Sequence, residues 1–184
     1  RLWLITGYSK QIQFLYDQPY ADKSLKHGYK VGFSYLSNRE VNYATAHNQQ
    51  IFNDSLSGIK KLQANLEYTY RPGLRTFHSL RLGYVRQEVD SQVLELNPKF
   101  FSGGKNTMAY PEITYTVNHY NVDYIPYPLK GWMGEASISK KGFNAETNMW
   151  QLGAKFTKGF EIGKKTFYGL QGHGVLRYPF DQPF

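Results

Sequence analysis

No cysteine occurs in the 184 residues, which removes disulfide scaffolds, thiolate metal sites and cysteine nucleophiles at once. Nor is there a run of about 18 apolar residues, the length a helix needs to cross a bilayer. A membrane-spanning helix is excluded. No helical segment, low-complexity tract or interdomain linker stands out, and no repeat is stronger than a hairpin. Acidic residues are the scarcer charge, 14 Asp and Glu against 22 Lys and Arg, giving a formal net charge of +8. The cations are spread along the chain. Lys60-Lys61, Lys140-Lys141 and Lys164-Lys165 fall at expected strand ends, which reads as solvated or headgroup-facing turns beside anionic lipid or lipopolysaccharide, and against nucleic-acid binding.

What the chain does have is aromatic residues, 17% of the total with 16 Tyr and 12 Phe, on a background that is polar on average, with a mean hydropathy of -0.56. At least seven stretches alternate apolar with polar residues at a period of two. The clearest places Leu62, Ala64, Leu66, Tyr68 and Tyr70 against Gln63, Asn65, Glu67 and Thr69. Alternation puts one side-chain set on each face of a strand. A chain built of little else is an antiparallel sheet with one greasy and one wet face, as in a membrane β-barrel, whose exterior is dry and whose lumen is wet. Open sheet edges cannot sit in lipid, so this reading requires a closed barrel.

The segments expected to be strands begin with Trp3 to Tyr8 and Gln11 to Tyr16, which Asp17-Gln18-Pro19 ends. Tyr29 to Tyr35 follows, with Ser37-Asn38-Arg39 as the short connection to Val41, Tyr43 and Thr45. A polar link from Asn53 to Gly58 leads to the strand near Lys60, which Arg71-Pro72-Gly73 closes with turn chemistry. Leu80, Leu82 and Tyr84 alternate next, up to Val89; the irregular stretch after it, holding Asn97-Pro98 and Ser102-Gly103-Gly104, is a long rim loop. Ile113, Tyr115 and Val117 continue as Tyr120, Val122 and Tyr124 in the opposite parity, which a bulge would explain. The rest are Trp132 to Ile138, Trp150 to Thr157 and Thr166 to Tyr178. About nine strands of roughly nine to eleven residues result, a length that spans a bilayer when tilted. Nine is odd where bacterial single-chain barrels are even. An arc of a larger barrel accounts for this, and a chain opening at Arg1 without an initiator Met and ending on Phe184 reads as part of a longer protein. Aromatics gather at strand ends: Trp3, Tyr8, Tyr16, Tyr20, Tyr29, Tyr35, Tyr110, Tyr124, Tyr127, Trp132, Trp150, Phe160 and Tyr178, the places of interfacial girdles.

Catalytic, metal-binding and cofactor residues are not assigned. His27, His47, His78, His119 and His173 are scattered over different elements without metal-ligand spacing. His78-Ser79 could join a distant acid in a hydrolase triad, but a triad is recognised by geometry and not by order along the chain. The run Tyr168-Gly169-Leu170-Gln171-Gly172-His173-Gly174 has the spacing of a phosphate loop without the helix that must follow. In a strand, its glycines signal close backbone approach or curvature. Gln63, Glu67, Arg81, Glu135, Lys155 and Arg177 are placed by parity on the lumen face, where they would pair with one another.

Tyr127-Pro128-Leu129-Lys130-Gly131-Trp132, followed by an alternating strand, resembles the proline and glycine pattern that opens a barrel strand in the BamA/TamA-type outer-membrane insertases, the bacterial surface antigen family. Arg177-Tyr178-Pro179-Phe180-Asp181-Gln182-Pro183-Phe184 resembles the approach to that family's inward-folded loop, and Asp17-Gln18-Pro19 with its early strand pair is also similar. The abundance of Tyr, Asn and Lys resembles Bacteroidetes-type members. The resemblance implies that residues 1–184 are part of a sixteen-stranded barrel in the bacterial outer membrane, with an arginine-glycine motif beyond Phe184 and periplasmic domains before Arg1. It implies a non-enzymatic protein without cofactor, which helps insert or translocate other outer-membrane proteins, its partners being membrane lipids or lipopolysaccharide, nascent outer-membrane proteins and accessory subunits. A porin-like or solute-specific channel is the alternative, with Val93 to Thr107 as its constricting loop. The barrel part of a patatin-like phospholipase fusion is a third.

Overall fold

A computed structural model describes residues 1–101, 104–144, 147–163 and 165–180. Strands β1 (Leu2–Ile5), β2 (Ser9–Gln18), β3 (His27–Ala46), β4 (Gln49–Tyr70), β5 (Thr76–Val89), β6 (Thr107–Val122), β7 (Gly131–Lys141), β8 (Met149–Gly163) and β9 (Thr166–Tyr178) form one sheet. Their spatial order is their order in sequence, and every neighbouring pair is antiparallel. Among the described residues β1 and β9 do not pair with each other, so the sheet is an open arc, as expected for part of a larger barrel.

The registers align the alternation from strand to strand. Leu2 faces Phe14, Phe14 faces Phe33, Phe33 faces Ala64, Ala64 faces Tyr84 and Tyr84 faces Pro111. Because the side-chain period is two, a slip of one residue at any pair would reverse the faces beyond it. The register shifts that do occur lie beyond the shared wall, between Asn38 and Glu40 and between Asn42 and Ala44 in the β3–β4 ribbon and between Glu161 and Gly163 at the end of β8, so one apolar face crosses all nine strands. Burial on this sheet is inverted: the apolar Phe14, Leu66 and Leu82 are 45%, 51% and 47% exposed, while the polar Glu112, Thr114 and Ser139 are 9% or less. The polar face is the crowded one, as it must be on the inside of a curved sheet.

Three local expectations are corrected. Ser37-Asn38-Arg39 and Asn53 to Gly58 are not connections; both lie inside strands, β3 of 20 residues and β4 of 22. Pairing with β2 ends at Asn38 and pairing with β5 at Ile59, so the remainder of β3 and β4 overhangs its neighbours. The turn of this overhang is His47-Asn48, with φ of 52° and 60°, the paired positive values of a two-residue hairpin. The bulge expected near Tyr120 is also absent. β6 stays in register with β5 and β7 throughout, which turns Tyr120 onto the polar face, edge-on to Phe77 at 5.7 Å. Finally, the paired lysines are not uniformly at strand ends: Lys60-Lys61 lies within β4 and Lys140-Lys141 closes β7, while Lys164 lies outside the described residues.

The long β5–β6 connection opens with a short helix, α1 (Ser91–Leu96), which the sequence reading did not anticipate. Asp90 caps it, its carboxylate accepting from the Gln92 amide at 3.0 Å. Val93, Phe100 and Phe101 then pack with Val41 and Val89, flanked by Tyr43, Ile59, Leu94 and Met108. Ile59, Val89 and Met108 belong to the polar-face parity, so the connection folds in over that face. Asn97 Nδ2 donates to the Tyr43 carbonyl at 2.8 Å and ties the loop to the β3 overhang. Ser102 and Gly103 of this expected loop lie outside the described residues. Phe101 is 2% exposed, and Phe101→Ala removes on the order of 3–5 kcal/mol of packing. That change is expected to open the loop to trypsin at Lys99 while the sheet persists. A Phe101→Ala loop as protease-resistant as the wild type would contradict this packing.

Candidate functional site

The richest polar constellation is a single register row across the polar face. Asp17 faces Lys30, Lys30 faces Glu67, Glu67 faces Arg81, Arg81 faces Thr114, Thr114 faces Ser139, Ser139 faces Gln151 and Gln151 faces Arg177. Its first four members alternate in sign, so directly opposed side chains attract. Lys30 Nζ lies 3.4 Å from Glu67 Oε1, and Arg81 reaches Glu112 Oε1 at 2.8 Å. The Thr114 hydroxyl bonds Glu112 at 3.1 Å and Ser139 at 3.0 Å, and Arg177 Nε donates to Gln151 at 3.1 Å. All six residues expected on the lumen face stand on this side, and Glu135 directly opposes Lys155. Their pairing partners are mostly other residues: Glu112, Lys30 and Gln151, which only the register identifies.

Nearer one rim the polar face holds a recess of about 360 Å³ lined by Asn118, Tyr120, Ile125, Met133, Glu135 and Lys155 among others. Thr157, also on its wall, buries a hydroxyl without a partner among the described residues. This rim carries the turns of residues 19–26, 71–75 and 123–130. The first and third are locked by an acid, and in the second the Arg71 guanidinium lies 4.8 Å and 4.5 Å from the Tyr20 and Phe77 ring centroids. In the first, Asp22 accepts from the Ser24 hydroxyl and from the amides of Ser24, Lys26 and His27. In the third, Asp123 accepts from the Leu129 and Lys130 amides, both at 3.0 Å, and Gly131 follows at φ +93°. A side chain there would meet the Asn121 carbonyl, so the glycine that opens β7 is required by space as well as by conformation. Lys130 completes the turn with an ion pair to Glu161 at 2.5 Å, which also raises its pKa. Asp123 titrates below the ordinary range, because of the Lys130 amide first.

The remaining histidine, serine and glycine motifs take these positions. Among the described residues no group of three His, Asp or Glu could hold a metal. His78 bonds the Tyr115 hydroxyl at 2.7 Å and stands on the apolar face, whereas Ser79 takes the polar one, so the two do not form a nucleophile and base. Gly169, Gly172 and Gly174 have nothing within 4 Å of where a Cβ would stand among the described residues, so of the two roles expected of them, close backbone approach is not seen and curvature is left. Of the expected girdle, Tyr16, Tyr29, Trp132, Phe160, Trp150 and Tyr178 stand on the apolar face, while register puts Trp3 and Tyr110 on the polar one.

No family model matches the chain, and no curated protein matches it. Among solved structures it is similar to BamA from Haemophilus ducreyi lacking POTRA domains 1–3, with a TM-score of 0.68 at 13% identity. The match covers 92% of this chain and 33% of that one. The fold is that of a BamA-type barrel. An arc a third the length of the matched chain accounts for the open sheet and for the odd strand number. In barrel terms the crowded polar face is the lumen wall and the apolar face the exterior. The β5–β6 connection, packed on the polar face, lies on that inner side.

Two measurements test this geometry. The cations Arg81 and Lys30 are similarly exposed, at 42% and 36%, but Glu112 is the more enclosed acid, 11% exposed against 21% for Glu67, and it also accepts from the Thr114 hydroxyl. A double-mutant cycle in urea at Arg81–Glu112 is expected to give a coupling of about 1–3 kcal/mol, and at Lys30–Glu67 about 0–1 kcal/mol. Equal couplings would refute the difference in enclosure. For Asp22 the Ser24 hydroxyl, then the His27 amide, lower the pKa from 3.8 to about 2. A depressed carboxyl stabilises the turn fully above the ordinary value and ceases to do so as pH falls through the folded one. Protection of the Lys26 and His27 amides, measured against their intrinsic exchange rates, should therefore fall only between about pH 4 and pH 2, and Asp22→Asn should abolish that step.

Proposed function

We propose that residues 1–184 are part of a membrane-spanning barrel domain of the bacterial outer membrane that helps other outer-membrane proteins insert or cross. The single observation that carries the membrane part is the inverted burial of the sheet. Soluble monomers rarely expose a contiguous apolar patch larger than a few hundred Å², and here one runs across every strand. From Leu62 to Tyr70 the apolar parity of β4 rises about 27 Å along the strand and about 21 Å in depth at a tilt near 40°. That matches a thin hydrocarbon layer, with Tyr68 and Tyr70 at its edge where amphipathic rings belong.

The insertase part rests on the BamA-type fold together with the Tyr127 to Trp132 motif. The mechanism it implies is non-enzymatic: a weakly paired seam offers strand edges to an incoming chain, which adds to the sheet by β-augmentation. Nascent outer-membrane proteins are then the cargo, and lipids or lipopolysaccharide the surroundings. The inward-folded β5–β6 loop favours a second reading, a channel whose lumen that loop narrows. The described contacts of the loop are largely apolar, which suits a plug better than a selectivity filter.

The test is a folding assay in vesicles. Vesicles carrying the full protein should speed the folding of a small outer-membrane barrel, read as heat-modifiable migration, by roughly tenfold or more over empty vesicles. Stable ion conductance in a planar bilayer without any gain in folding would select the channel instead.

A further inference from the structure

On the apolar face, at the rim of turns 19–26 and 71–75, lies a groove of about 850 Å³ lined by Ser24, Lys26, His27, Tyr70, His78 and Tyr115, with Tyr68 and Leu80 below. Its chemistry does not suit bare hydrocarbon. Tyr70 stands between two imidazoles, its ring centroid 5.2 Å from that of His27 and 6.2 Å from that of His78. Each imidazole is held by a tyrosine from a neighbouring strand: His27 Nδ1 pairs with the Tyr68 hydroxyl at 2.5 Å, and His78 Nδ1 with the Tyr115 hydroxyl at 2.7 Å. The same device thus occurs twice side by side. Each pairing uses one ring nitrogen, fixes the ring and leaves Nε2 for another partner.

Charge at this rim is cationic. Lys23, Lys26, Arg71, Arg75, Lys130 and Lys165 lie in its turns, against Asp22, Asp123 and the Glu161 that pairs with Lys130, and the carboxylates of Asp22 and Asp123 are engaged by backbone amides. Below the groove the apolar parity continues through Leu66, Leu82 and Ile113, which share one register row. A polar, cationic head above a greasy wall is the complement of a phospholipid: a phosphate near Lys26 and the two imidazoles, and an acyl chain down the strands.

We infer that this groove is a binding site for the phosphate headgroup of an anionic phospholipid. The inference rests on the membrane reading above. It commits to phospholipid rather than lipopolysaccharide because the overhanging β3–β4 ribbon and the long β5–β6 connection rise from the opposite rim. Short turns mark the periplasmic side of such barrels, and that leaflet is phospholipid.

The experiment is native mass spectrometry of the full protein extracted from vesicles of equal phosphatidylglycerol and phosphatidylcholine, repeated with lipid A added. Wild type should retain phosphatidylglycerol over phosphatidylcholine by about fivefold to thirtyfold, the scale expected of one or two surface cations at about 1 kcal/mol each. The combination Lys26→Gln, His27→Gln and His78→Gln should bring the ratio near one, and Lys99→Gln on the opposite rim should leave it unchanged. Heat-modifiable migration reports whether each variant is folded, and Lys26→Gln alone, which alters only an exposed turn side chain, should still lower the ratio if the triple variant does not fold. An unchanged ratio in the folded variants, or preferential retention of lipid A, would overturn the site while leaving the barrel in place. A wild-type protein that does not enter vesicles at all would overturn the membrane reading and this site with it.

Discussion

Register is the constraint on which everything else depends. Each strand contributes one apolar and one polar parity, and only a shared phase turns nine such strands into a wall with two chemically different sides. The phase also decides which charges meet. Lys30, Glu67 and Arg81 are opposed because their strands are in step, and a neutral row of Thr114, Ser139 and Gln151 continues where the signs stop alternating. The same backbone ladder satisfies the main-chain donors and acceptors inside the sheet, which is what makes a strand admissible in a low-dielectric surrounding. Side-chain sorting and main-chain pairing are thus one condition.

Packing follows from curvature. On the concave side, side chains crowd, and there hydroxyls, amides and paired ions fill space that a soluble protein would give to leucine. On the convex side, Leu, Phe and Tyr stand apart and await a solvent that is not water. The one compact apolar cluster among the described residues, around Val93 and Phe101, belongs to a loop and not to the sheet, and it anchors that loop against the wet wall.

Much of this was legible in the residues. Period-two alternation in β4 and β5 needs no structural help, and the parity of Gln63, Glu67, Arg81, Glu135, Lys155 and Arg177 placed them correctly. What escaped did so for identifiable reasons. The polar stretches Ser37-Asn38-Arg39 and Asn53 to Gly58 resembled turns because they interrupt the alternation, while the true turn, His47-Asn48, lacks the glycine that usually marks such hairpins. Tyr120 is an aromatic on the wet face, and an aromatic there mimics a parity change. The helix of six residues is too short for a 3.6-residue period to register. The histidine and tyrosine pairs of the apolar face lie 41 and 37 residues apart, joined only by register.

Spatial order equal to sequence order has a kinetic meaning as well. Each strand from β2 onward can dock on the strand that precedes it, without waiting for a distant partner, so loop-closure entropy is lost in small steps, the largest at the long β5–β6 connection. The arc is therefore a polymer that can grow by one hairpin at a time from either end. A wall with that property can lengthen without redesign, and the point at which it stops is set by closure and not by any strand within it.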